Sequence, residues 1–206
     1  MKRMIVGKLA IATAALSIMG PAQAQFDPAI FAKWGSVAVL KFKLVQTYEG
    51  ERIVIKNGAA LATVKDRFEV EFRWNQYEAR LVGEPVIKNY PTVMSGVRGS
   101  AKECPAPTLA GPFEHATAVS AVQGEGAFLL VTLRTDYPAA SEPQMCSQES
   151  SKTVPAASED QAIMVPPPGI AIFGMKDGQA PGITVKGDTV TMRDGELTNV
   201  WTIAES

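Results

Sequence analysis

Between Arg67 and Trp74 the chain alternates without a break. Phe68, Val70, Phe72 and Trp74 are apolar, and Arg67, Glu69, Glu71 and Arg73 are charged. Successive side chains of a strand point to opposite faces, so the run puts its apolar groups on one side and its charges on the other. A helix would scatter both sets around its circumference. The run predicts a strand over Asp66 to Asn75, buried on one face and wet on the other, as in an antiparallel sheet.

The same period recurs elsewhere. Val39, Lys41, Lys43 and Val45 alternate with Leu40, Phe42, Leu44 and Tyr48. Arg52 to Lys56 and Ala59 to Val64 flank Asn57-Gly58, a strong hairpin signal because both residues tolerate positive φ. Shorter strands are predicted over Tyr77 to Val82, Pro85 to Asn89 and Thr92 to Val97. His115 to Val122 and Gly126 to Arg134 form a further hairpin, whose Phe128-Leu129-Leu130-Val131 run predicts a central, covered strand. Gly169 to Met175, Gly182 to Lys186, Thr189 to Arg193 and Glu196 to Ile203 read as a closing meander. Before all of these, Asp27-Pro28 caps and opens a short helix, with Ile30, Phe31 and Trp34 on one side and Gly35 at its end. The fold class expected is all-β, an antiparallel β-sandwich or open barrel with a short N-terminal helix.

Lys2, Arg3 and Lys8 precede an apolar run from Leu9 to Met19, and Ala22-Gln23-Ala24 follows. This is the pattern of a cleavable secretory signal over residues 1–24. The apolar run is short of the ~20 residues that a membrane-crossing helix needs. The domain expected after cleavage, residues 25–206, carries 17 basic and 21 acidic side chains. That excludes the cationic excess of a nucleic-acid binder and gives no reason for a polyanionic partner. Localisation in the periplasm or the medium is the expectation. In an oxidising compartment Cys104 and Cys146, the chain's two cysteines, read as one structural disulfide, and their spacing lacks the short Cys-x-x-Cys form of metal and redox pairs.

Residues 135–168 hold six Pro, five Ala and five Ser. Such a composition buries little apolar surface, so the segment reads as a long loop tethered at Cys146.

The chemistry is limited by a single imidazole, His115. No nucleophile elbow, phosphate-binding loop or cluster of metal ligands accompanies it, and neither cofactor nor metal is expected. Glu69 and Glu71, two apart on one strand face, are separated by roughly 6.6–7 Å, near the carboxyl spacing of glycoside hydrolases. Arg67 and Arg73 on the same face favour a charged ladder instead. Trp34, Trp74 and Trp201 would serve as a sugar platform only if exposed, and Trp74 belongs to an apolar strand face.

Ser95-Gly96-Val97-Arg98-Gly99-Ser100 has the make-up of an anion-binding loop, with Ser95 and Arg98 as candidate ligand-binding residues. Glycine within a strand more often marks a bulge. Ser95 to Arg98 is loosely similar to the loop of c-type lysozyme inhibitors, small exported β-barrels. The similarity covers four residues, and position 99 is glycine rather than tyrosine, so it does not identify the family. Together these readings predict an exported, non-catalytic β-domain that binds a protein or cell-envelope component. The alternatives are a carboxylate-based hydrolase of envelope polysaccharide and a secreted enzyme inhibitor.

Overall fold

The computed structural model describes residues 28–56, 60–99, 105–125, 128–141, 153–165, 170–178 and 180–204. The expected leader, Asp27, the Asn57-Gly58 turn, Cys104 and Cys146 lie outside these residues. The described chain is mostly β, in antiparallel sheets with a sandwich-like arrangement.

A short helix, α1 (Pro28–Trp34), opens it and ends where Gly35 N donates to Phe31 O at 2.7 Å. Ile30 is buried and Trp34 packs at the core's edge, whereas Phe31 stays half exposed. Only two of the three expected residues therefore face the body.

Two long strands follow, β1 (Val39–Ile53) and β2 (Ala60–Asn75), paired from Val39↔Asn75 to Ile53↔Leu61. The four shorter strands expected over this stretch are thus one continuous ribbon. Gly50 does not break β1. A Cβ there would collide with the Glu196 carboxyl and the Tyr48 hydroxyl, so glycine leaves room for that contact. Beyond β2 come β3 (Arg80–Leu81) and β4 (Val86–Gly99), both pairing with β2. β4 runs through Pro91 because the ladder slips there. One residue separates Lys65 from Arg67 on β2, but two separate Val93 from Tyr90 opposite. A proline that cannot donate to the ladder is tolerated at such a bulge.

β5 (Thr108–Leu109), β8 (Ala140–Ser141) and β9 (Thr153–Val154) make a small three-stranded sheet. β6 (Glu114–Gln123), β7 (Leu129–Tyr137) and β10 (Ala157–Val165) make another, with β7 central as expected. Leu129 and Val131 are buried, but Leu130 is half-buried, so β7 is not covered on both faces. The segment 135–168 is more regular than its composition implies: its first residues complete β7, and nine more form β10 along that strand. The ladder supplies what the side chains lack, because each backbone group of β10 facing β7 finds a partner.

The chain ends with α2 (Ile170–Phe173), β11 (Ile183–Lys186), β12 (Thr189–Asp194) and β13 (Leu197–Ala204). The last three strands form the expected meander, and β13 returns beside β1. The strand expected over Gly169 to Met175 is instead a helical turn. Ile172 and Phe173 are both buried in this turn and join the larger core cluster.

The core is divided. One cluster gathers Leu40, Phe42, Leu44, Val70, Phe72 and Trp201 under Leu129, Val131 and Phe173. Phe42 stacks on Phe72 at 5.7 Å between ring centres and meets Phe173 at 5.4 Å. Each such fully buried side chain contributes roughly 1.5–3 kcal/mol of transfer free energy. A second cluster holds Val54, Ile55, Ala60, Ala62, Val64 and Phe113. The inward rows of β1 and β2 pass through both clusters and carry polar groups between them: Gln46, Asp66 and the Tyr48 hydroxyl.

Candidate functional site

Asp66 occupies an inward position of β2, between Val64 and Phe68, and its side chain is only 4% exposed. A carboxylate at such depth needs partners for both oxygens. Asp66 has them. Oδ1 accepts from the Thr92 hydroxyl at 2.6 Å, and Oδ2 is bound by Nδ1 of His115. The Thr92 hydroxyl in turn accepts from the His115 backbone N–H at 2.8 Å, and Thr92 N donates to Glu114 Oε2 at 3.1 Å.

Two irregularities bring these groups together. The β4 bulge at Pro91-Thr92 lies opposite Asp66 and turns Thr92 toward it. On β6 two residues separate Glu114 from Thr117, against one between Asp136 and Arg134 on β7. The extra residue falls at His115-Ala116, and Ala116 adopts φ 52°. An alanine in the left-handed region costs of order 1 kcal/mol or more and persists where surrounding contacts hold it. Here it swings the His115 imidazole inward to Asp66. Bulges re-aim side chains in this way.

The imidazole is flanked by rings. Phe113 stacks on it at 5.8 Å, and Tyr48 lies 5.7 Å away at a tilt of 56°. The Tyr48 hydroxyl donates to Glu196 Oε2 at 2.9 Å. Burial, then the bond to Glu196, pushes its pKa up to about 12, so the phenol stays neutral. The Arg52 guanidinium lies over the other ring of this group, 4.1 Å from the centre of Tyr48.

His115, 17% exposed, looks into a cavity of about 680 Å3 lined also by Arg52, Thr135, Tyr137, Glu159 and Asp160. A smaller recess of about 300 Å3 shares Arg52, His115, Thr135 and Gln161 and reaches Gln46 and Leu197. With Nδ1 held by Asp66, Nε2 is the ring nitrogen left for whatever occupies this space. The acids of the lining are engaged. Glu51 meets Arg98 at 2.8 Å, Glu159 meets Lys56 at 2.6 Å, and Asp160 takes Arg134 at 2.8 and 3.0 Å. Lys56 holds the Glu159 carboxyl below its ordinary range, and Arg134 does the same for Asp160. Arg52 meets no carboxylate among the described residues. No group of three or more metal-ligating side chains occurs among them either.

Ser95 and Arg98 are not in a loop. They belong to β4, where two steps of β2 from Leu61 to Thr63 oppose three steps of β4 from Arg98 to Ser95, and Gly96 takes φ 65°. The glycine therefore serves a bulge. Arg98 reaches the cavity rim through Glu51, while Ser95 is exposed and does not line the cavity.

Glu69 and Glu71 form the charged ladder. Glu69, 6% exposed, takes Lys43 at 2.6 Å, Arg67 at 2.5 Å and the Tyr90 hydroxyl at 2.9 Å. Lys43 first, then Arg67 and Tyr90, lower its pKa to about 2 against the opposing effect of burial. Glu71 meets Lys41 at 3.3 Å. A carboxyl held ionised so firmly has no proton to give a leaving group. Trp74 and Trp201 are buried, and Trp34 donates to Asp188 Oδ1 at 2.9 Å, so the three indoles form no sugar platform.

The chain matches no family model, and neither a curated protein nor a solved structure matches it.

Proposed function

We propose that this chain is an exported, non-catalytic binding domain that takes a component of the cell envelope into the cavity beside His115. The observation that carries the reading is the polar floor between the two apolar clusters. Burying Asp66 and orienting His115 costs stability that a purely structural core would avoid. That arrangement lies at the base of a concave space with aromatic and charged walls, where ligands are usually held. Export to the periplasm or medium rests on the basic start, the short apolar run and Ala22-Gln23-Ala24.

Immobilised protein incubated with a solubilised envelope extract tests it, with bound material identified by mass spectrometry. One component should be enriched by the wild type and lost from Thr135→Trp, which fills the cavity from β7. Equal retention by both proteins, or none by either, counts against the reading.

A second reading is a hydrolase in which His115 acts as general base on water. The Asp66–His115 pair favours it, because a carboxylate on Nδ1 leaves Nε2 as the acceptor of a proton. The distinguishing result is turnover of the captured component, abolished in His115→Gln.

A further inference from the structure

Resting on that cavity as a binding site, we infer that its ligand presents an oxyanion, a carboxylate or a phosphate, which Arg52 and His115 hold together. The argument begins with charge pairing. Three acids line the cavity, and each is neutralised at hydrogen-bond distance by a cation of its own: Glu51 by Arg98, Glu159 by Lys56, Asp160 by Arg134. None is left to receive a cationic ligand. Arg52 is the opposite case. Its guanidinium has no carboxylate partner among the described residues and lines both the cavity and the smaller recess. The ring of Tyr48, 4.1 Å beneath it, holds its plane without using its N–H donors. Those donors form a fork that suits two oxygens of one anion.

His115 supplies the second point. It touches the same Tyr48 ring from 5.7 Å and lines both the cavity and the smaller recess with Arg52. Asp66 fixes its ring, and in the protonated imidazole, with Nδ1–H on Asp66, the Nε2–H donates to the anion without loss of rotational freedom on binding. The neutral phenols of Tyr48 and Tyr137 add no repelling charge, since burial raises both. A guanidinium and an imidazole on one aromatic support are a receptor for a small anion. A peptide carboxyl end and a sugar phosphate both offer it.

His115 is the chain's one histidine, so its imidazole proton resonances can be followed in the intact protein without ambiguity. N-acetylalanine, glycerol 3-phosphate and the uncharged N-acetylalaninamide would each be titrated against them. One or both anions should move the resonances saturably, at least tenfold more tightly than the amide, and the tighter anion identifies the source. Arg52→Gln should weaken that anion at least tenfold while leaving the circular dichroism of the fold unchanged, and Arg52→Lys should recover part of it. If the amide binds as tightly as either anion, or Arg52→Gln stays within twofold, the oxyanion assignment is overturned and the cavity remains a binding site for neutral ligands. If no probe moves the resonances and Thr135→Trp retains the envelope component, the cavity reading falls as well.

Discussion

Glu69 shows how one outward-facing residue can matter as much as a core side chain. Its folded pKa is lowered from 4.5 to about 2, so its contribution is fully present above pH 4.5. It is lost as pH falls toward 2, because the folded state must then accept a proton it binds poorly. Each unit corresponds to about 1.4 kcal/mol, and solvent around Lys43 and Arg67 screens part of it, leaving about 2–3 kcal/mol. Urea unfolding of Glu69→Gln at pH 7 should show a loss of that size. The gap from wild type should close when both are measured near pH 2. At the same scale, the sequence did carry the sign of Asp66. Counting back by twos from Phe68 puts it in the apolar row, as counting on from Leu44 does for Gln46. A charged residue in an inward row requires a partner. What the period does not reveal is which residue answers it, because Thr92 and His115 arrive from strands 26 and 49 positions away.

At the scale of elements, the strands with strict alternation were legible, and so were the hairpins after residue 182. Their joins were not. Gly50 and Pro91 are ordinary stop signals, yet β1 and β4 run past them, one because a carboxyl needs the space and the other because a bulge accepts the ring. β10 was hidden by a composition that gives few apolar anchors, and its order comes from its neighbour's ladder. The bulge at Ala116 was equally silent, since alanine does not advertise positive φ. It offers a paired test. Ala116→Gly relieves the backbone and should leave stability unchanged or raise it by up to ~1 kcal/mol, where the same change in an ordinary strand would lower it. Ala116→Val places a β-branched residue at φ 52° and should cost about 1–3 kcal/mol, with displaced His115 resonances. Thermal melts and one-dimensional spectra of the two variants check both.

Over the whole molecule, the all-β class followed from periodicity and the central place of β7 from an apolar run, whereas the cavity was not legible, because it is lined by five strands, β1, β2, β6, β7 and β10, that meet only in the fold. The expected bridge from Cys104 to Cys146 would close 43 residues, a constraint worth ~4 kcal/mol in the unfolded chain. Cys104→Ser with Cys146→Ser should lower the melting temperature of the exported protein by several degrees, and mass spectrometry of the native protein should show two protons fewer than the reduced form. An unchanged melting point and mass would remove the bridge.

The division of the core by Gln46, Tyr48 and Asp66 has a consequence for how the molecule opens. β1 and β2, paired along their length, run through both apolar groups, as do β4, β7 and β13. With the polar row between those groups, local opening should still proceed in two cooperative units rather than one. Amide protons of Phe42, Leu44 and Phe72 should exchange with solvent most slowly, and those of Ala62 and Val64 measurably faster. A ligand seated over the seam would grip both halves and bring the two rates together.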